Sequence, residues 1–342
     1  MKSIKHLVGK LLVGAVCIGM TPLGAAAAES ETSESLVSLV FAGDIVLDGK
    51  PGLAIEQGRD PFASFGAILD AADIRLGNLE CVVASGGDAA DKNFTFRAHP
   101  RTLDVLKRHF DAVSLANNHS GDFGRAAFAE MLGLLDQKGI LKFGGGHNLR
   151  EAHTPLIVER KGLRIALLGY DEFMPRSFEA DYNAPGVAWS EDEQVVADIK
   201  AARSLHHADL VIPVMHWGWE NETIAGARQR QLARLMIDAG ADVVIGGHPH
   251  VTQDIEHYKG KPIIYSVGNF VMEELDNANQ AIGWVLQLQL DRNGVQRFET
   301  RVAHIDSEGI PHPVPQENSP CWERGQSGVA LCGNGKAQQA RQ

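Results

Sequence analysis

Residues 210–250 read LVIPVMHWGWENETIAGARQRQLARLMIDAGADVVIGGHPH. An apolar run over 210–215 gives way to His216, helical periodicity follows over 228–239, and a second apolar run over 243–245 ends in Gly246-Gly247-His248-Pro249-His250. Strand, helix, strand is the repeating unit of a layered α/β domain, and polar residues stand where each strand stops. The pattern extends toward both termini. Short β-rich runs lie at 36–42, 74–77, 112–115, 163–169 and 263–267, with amphipathic stretches at 61–71, 100–108, 125–138 and 191–205. Residues 283–291 and 295–304 flank Arg292-Asn293-Gly294, which predicts a hairpin.

The chain has 342 residues, 44% hydrophobic and 22% charged, enough to bury a full core. Without a fixed repeat or an obvious linker, one domain over 29–310 is the simplest division. The first 28 residues are expected to be a cleaved secretory signal peptide: Lys2, Lys5 and Lys10 precede an apolar run over 11–20, and Ala26-Ala27-Ala28 supplies a small-residue cleavage site. That run is shorter than the ~20 apolar residues of a membrane span. The protein is therefore expected outside the cytoplasm, periplasmic or extracellular. Removing three lysines leaves 29 basic against 43 acidic residues, a net charge of −14. Such a surface repels nucleic acid and anionic membranes, and no basic stripe overrides it. Residues 311–342, rich in Pro, Gly, Ser and Gln, predict an extended tail. In an oxidising compartment Cys321 and Cys332 could close a loop within it, and Cys81 reads as a small buried apolar side chain.

The polar residues collect in one kind of place. Asp44 follows the first strand; Asn78 and Glu80 follow the second; Asn117, Asn118 and His119 follow the third. His216 and Glu220, then His248 and His250, then Asn269 follow later strands. In an open α/β sheet the strand carboxyl ends share one rim, so these residues are expected to converge. Pro249 biases His248 toward extended backbone, which would turn His248 and His250 the same way. Carboxylate, amide and imidazole together suit Mn²⁺, Fe²⁺ or Zn²⁺ better than Mg²⁺ or Ca²⁺. The candidate ligands are Asp44, Asn78, Glu80, Asn118, His119, His216, His248 and His250, enough for one ion or for two. Taken singly, each has a plainer explanation: a helix cap, a turn former or a packed histidine. Their concentration on one rim is what capping does not explain. The Gly-x-Ser-x-Gly elbow and the phosphate-binding loop are both absent, Gly144-Gly145-Gly146 lacks dinucleotide spacing, and His206-His207 reads as a helix-terminal pair.

Together these motifs resemble the CapA family of poly-γ-glutamate capsule biosynthesis proteins, whose domain is similar to calcineurin-like metallophosphoesterases. The resemblance is carried by Phe41-Ala42-Gly43-Asp44, Gly77-Asn78-Leu79-Glu80, Ala116-Asn117-Asn118-His119 with Asp122 and Gly124, His216-Trp217-Gly218 with Glu220, Gly247-His248-Pro249-His250, and Tyr265 through Phe270. It implies a four-layer α/β/β/α metallophosphoesterase-like sandwich. It also implies an exported protein that helps make or export an anionic poly-glutamate polymer, beside a membrane-bound synthesis or export complex. The usual Asp-x-His of metallophosphoesterases is missing at Asp44-Ile45-Val46, and Asn78-x-Glu80 supplies a carboxylate instead. Two readings stand at this point. One is an assembly factor that binds metal, polymer or a partner without turnover; the other is an exported metal-dependent phosphoesterase-type hydrolase, with His119 or His216 as acid or orienting group.

Overall fold

The first strand, β1 (Val37–Ile45), is buried along almost its whole length. That is the mark of a strand covered on both faces. Its alternate residues go to different cores: Leu39 and Phe41 join one cluster, while Val40 and Ala42 join another. The same division runs through β2 (Ile74–Leu79) and β3 (Ala112–Ser114), which with β4 (Leu141–Phe143) continue the sheet in parallel from β1. Helices α1 (Gly49–Glu56), α2 (Thr102–His109) and α3 (Gly124–Lys138) accompany this sheet. Ile55, Leu106 and Phe128 from them pack on its Val40 side. Lys107, Arg108 and His109 complement the carboxyl end of α2, and Gly139 at φ 64° stops α3.

The structure, a computed structural model, describes residues 36–173, 176–273, 275–315, 319–333 and 336–338. The expected signal peptide lies outside them. A second, six-stranded sheet is built from β5 (Leu156–Arg160), β6 (Leu163–Asp171), β7 (Leu210–His216), β8 (Val244–Gly247), β9 (Ile255–Tyr258) and β10 (Lys261–Ile264). Strands β6, β7, β8 and β10 are parallel, with antiparallel β5 and β9 at the edges. Here too alternate side chains part company. Ile165, Leu167, Leu210, Ile212 and Val214 meet Leu39, Phe41 and Leu76 across the inter-sheet core. Ala166, Leu168, Val211 and Met215 turn the other way, onto helices α4 (Asp192–Ser204) and α5 (Ala227–Ala239). Helix, sheet, sheet, helix is the α/β/β/α order that the family resemblance implied.

Strand β11 (Asn269–Val271) pairs with the end of β1. The expected hairpin forms β12 (Ile282–Asp291) and β13 (Gly294–Ile305); β12 pairs antiparallel with β1 on the side opposite β2, and β13 lies outside it. Three expectations need correction. The stretch 61–71 is no continuous helix but a 3₁₀ turn, Ala63–Phe65, leading into a short helix, Gly66–Asp70. The strand expected over 263–267 ends at Ile264, and strands β5 and β9 were not anticipated. Finally, the described residues beyond 310 add strands rather than a loose tail: Ser319–Glu323 pairs with β13, and Ala330–Gly333 and Lys336–Gln338 extend it outward. Trp322 explains the difference, since one buried aromatic from that run joins the inter-sheet core. Cys321 and Cys332 are disulfide-bonded, and Cys81 is free and buried.

Candidate metal centre

Strand parity alone decides most of the site. Asn78 lies in step with Leu76 and Ile74, and His216 in step with Val214 and Ile212, so both side chains continue the inward-facing rows. At the carboxyl end those rows change from apolar to polar. Asp44 would face the helices by the same count, because Val40 and Ala42 do. The register of β1 against β2 slips between Ala42 and Asp44, however, and Ile45 takes the helix-facing row instead. This bulge turns Asp44 inward. Gly43 permits it, since a Cβ there would lie 1.9 Å from the carbonyl oxygen of Gly268. Opposite, a Cβ on Gly247 would lie 2.9 Å from Asp44 Oδ1, so the second sheet approaches within contact of the carboxylate.

Asp44 accepts hydrogen bonds from Asn78 Nδ2 at 2.8 Å and from the backbone N–H of His248 at 3.2 Å. Asn117 Nδ2 donates to Asn78 Oδ1 at 3.0 Å and to the Leu79 carbonyl at 2.9 Å, tying the third strand end to the second. His216 Nε2 lies 2.8 Å from Asn118 Oδ1, 3.0 Å from His248 Nδ1 and 3.3 Å from Glu80 Oε1. His250 Nδ1 lies 2.8 Å from Asn269 Oδ1 and 3.6 Å from Asp44 Oδ2, and its Nε2 is 3.9 Å from Glu80 Oε1. Asn269 is held in turn by the Gln280 carbonyl, 3.1 Å away. His119 sits at the margin: its Nδ1 pairs with Asp122 at 2.8 Å and its ring lies tilted against Phe96, with centroids 4.5 Å apart. Glu220 is exposed and hydrogen-bonded to none of these residues.

His248 and His250 do converge, with ring centroids 5.7 Å apart. They do so by a route other than the expected extended one. Their φ angles are 93° and 58°, a left-handed backbone that side chains rarely adopt and that is found at functional sites where the surroundings enforce it.

The electrostatics favour a cation. Asp44, Glu80 and His248 are fully buried, and both Glu80 oxygens and His248 Nε2 have no hydrogen-bond partner. Burial and the nearby Asp44 charge push the Glu80 carboxyl well above its usual range. Burial also would raise Asp44, but its bonds to His250 and Asn78 and the His216 ring hold it low. Burial drives the His216 imidazole down to about 3 and His248 well below 6.5, so both rings stay neutral with lone pairs available. Two sets of three ligand atoms lie mutually within 4.8 Å, Glu80 with His216 and His248, and Asp44 with Glu80 and His250. Orphaned carboxylate oxygens and neutral imidazoles in such sets fit one divalent ion or two, with Glu80 common to both. Asn78, Asn118 and Asn269 surround them, and His119 belongs to neither set.

Three neighbours were missed from sequence. Asp171 ends β6 in register with His216, and burial raises its carboxyl to about 8. It carries the same signal as Asp44, an apolar run ending in a carboxylate. Phe173 covers His248 with ring centroids 3.8 Å apart. Lys92 pairs with Asp122 and donates to the Asn118 carbonyl at 3.0 Å, from a segment without periodicity that offered no signal.

Among known proteins, the family described as Bacterial capsule synthesis protein PGA_cap matches residues 38–274. The chain is 34% identical over 299 residues to the PGA biosynthesis protein CapA of Bacillus subtilis, covering 84% of this chain and 76% of that one. It is 28% identical over 324 residues to the Capsule biosynthesis protein CapA of Bacillus anthracis, with coverages of 90% and 76%. Among solved structures it is similar to the sulfate thiohydrolase SoxB of Thermus thermophilus, at 13% identity and a TM-score of 0.45, covering 80% of this chain and 58% of that one. A further likeness is to the NAD nucleotidase NadN of Haemophilus influenzae, at 12% identity and a TM-score of 0.42, with coverages of 82% and 54%.

Proposed function

The chain belongs to the bacterial capsule synthesis protein family, and from that premise we propose that it acts outside the cytoplasm in making or exporting a poly-γ-glutamate polymer, using a divalent-metal centre between its two sheets. The observation that carries the reading is the overlap of two facts: the family match spans every member of the ligand cluster from Asp44 to Asn269, and within it Glu80 presents two buried oxygens that no protein group satisfies. Asp44, Glu80, His216, His248 and His250 would hold Mn²⁺, Fe²⁺ or Zn²⁺, one ion or two. A bound ion would supply positive charge and Lewis acidity, which an acidic protein handling a polyanion needs.

The surrounding residues prepare that centre. Asn78 and the His248 N–H orient Asp44, Asn269 orients His250, and Asn118 faces His216. Phe173 and Phe96 keep water from the outer faces of His248 and His119. The Asp122–His119 pair fixes the ring tautomer with Nδ1 on the carboxylate, and Lys92 balances the Asp122 charge. Burial keeps the His119 ring neutral, and with Nδ1–H on Asp122 its Nε2 is left to accept a proton from an attacking water; such a base outside both ligand sets favours a second reading of the same centre, hydrolysis of phosphoester-type bonds.

The test is complementation of a poly-γ-glutamate-producing bacterium deleted for its own family member. Restored polymer with the wild-type chain, and none with Glu80→Gln or His248→Ala expressed at equal level, is the expected result. Full restoration by both variants would contradict the role of the metal centre, and no restoration by wild type would contradict the polymer role. Metal-dependent turnover of generic phosphodiesters by the purified protein, lost in His119→Ala, would instead select the hydrolase.

A further inference from the structure

Beside α4 lies a cavity of about 730 Å³, within the size range of organic-ligand sites. It shares no lining residue with the metal-ligand cluster. At its floor is a buried polar group: Asp198 Oδ2 accepts from His153 Nδ1 at 2.7 Å and from Tyr170 Oη at 3.0 Å, and Oδ1 accepts from Gln194 Nε2 at 2.7 Å. Three donors thus saturate the one carboxylate among the described lining residues. The bond to Asp198 fixes His153 with Nδ1 toward the floor, and His153 Nε2 has no protein partner among the described residues.

Two further nitrogen-bearing side chains line the same cavity. Arg150 is exposed and its guanidinium has no ion pair or hydrogen bond among the described residues. His206, just past the end of α4, has a half-buried ring that is equally unpartnered. Tyr182, 82% exposed, forms one wall. In a chain of net charge −11, most arginines near carboxylates are used up in pairs, such as Arg203 with Asp242 and Arg230 with Asp254. A cavity with the unpaired Arg150 guanidinium, His206 beside it and no uncompensated acid among its described lining residues attracts anions, while His153 Nε2 faces it as an acceptor.

We propose that this cavity is a second binding site, for a carboxylate-bearing chain whose acid groups face Arg150 and His206 and whose backbone amide meets His153, and that its occupant is a γ-linked glutamyl segment. Anion capture follows from the cavity itself; the glutamyl identity rests on the function proposed above. Arg150 supplies a planar two-pronged donor for carboxylate. His153, held by Asp198, sets how far the segment enters.

The experiment is calorimetric titration of the full chain, metal-loaded, with a γ-linked glutamate pentamer, and in parallel with an α-linked pentamer and inorganic phosphate. Wild type should bind the γ-linked pentamer best. Arg150→Ala, a change at an exposed residue without partners, should weaken it roughly tenfold or more. Tyr182→Ala should weaken it further, and Glu80→Gln should leave it unchanged. Unaltered thermal unfolding and metal content in Arg150→Ala show that the fold and the centre are intact. The proposal is overturned if wild type binds no pentamer, if binding survives Arg150→Ala but disappears in Glu80→Gln, or if phosphate alone binds. Failure of the polymer role itself appears separately, in the complementation assay, and leaves the titration untouched.

Discussion

Glu80 carries two buried oxygens with no partner, a cost on the order of several kcal/mol unless a proton or a cation compensates it. Glu80→Gln is therefore expected to leave the melting temperature of the metal-free protein unchanged or higher, and to abolish the rise on adding metal. For the wild type that rise corresponds to about 2.7 kcal/mol at a hundredfold excess over Kd, and scanning fluorimetry with and without Mn²⁺ or Zn²⁺ measures both. At the neighbouring position burial raises the Cys81 thiol to about 12. It should resist iodoacetamide at pH 8 in the folded protein and react once guanidinium unfolds it, as peptide mass spectrometry would read. Residue types and their place after strands were legible in sequence, which is why Asp44, Glu80, His216, His248 and His250 could be grouped. The left-handed backbone at His248 and His250 was not, because Pro249 argues locally for extension and only the packed sheets enforce the alternative.

The elements explain what single residues cannot. Near-continuous apolar runs along β6 and β7 mark strands with two cores, and that much the sequence reveals. A bulge leaves no such trace: β1 reads as an unbroken apolar run, yet the slip at Gly43 decides which way Asp44 points. Gly43→Ala places a methyl 1.9 Å from the Gly268 carbonyl oxygen, and overpacking of this kind costs about 1–3 kcal/mol or more. It is expected to lower the urea midpoint and the metal affinity together, whereas a purely structural strand position would move the midpoint alone. The edge strands built on Ser319–Glu323 escaped notice because Pro, Gly and Ser dominate their surroundings, and the buried Trp322 was a single residue without a period. The Cys321–Cys332 bond closes that edge over a sequence separation of 11. Replacing both by Ser should remove about 3 kcal/mol from the edge and speed hydrogen exchange in Ser319–Gly333 while β1, β6 and β7 stay protected.

Over the whole molecule, ion pairs at the strand starts lock the sheets opposite the metal rim. Burial would raise the Asp111 carboxyl, but Arg75 outweighs it and holds it low; Asp73 is likewise held low, against partial burial, by Lys161 and Ser38. An acid with a depressed folded pKa stabilises the fold above its unfolded pKa of about 3.9 and loses that contribution as pH falls through the folded value. The loss of urea midpoint as pH falls below about 4 should accordingly be smaller in Asp111→Asn than in the wild type. A layered α/β domain was legible from alternating strands and helices, whereas the four-layer order was implied only by the family resemblance. Which polar side chains actually touch was not, since contacts between the two sheets depend on register and on glycines such as Gly247. The most direct measurement is metal content: purified protein dialysed after exposure to Mn²⁺, Fe²⁺ or Zn²⁺ and analysed by mass spectrometry of the element. One or two ions retained per chain by the wild type, and none by Glu80→Gln or His248→Ala, is the expected result; a wild type that retains none of the three metals, or variants that retain as much, would contradict it.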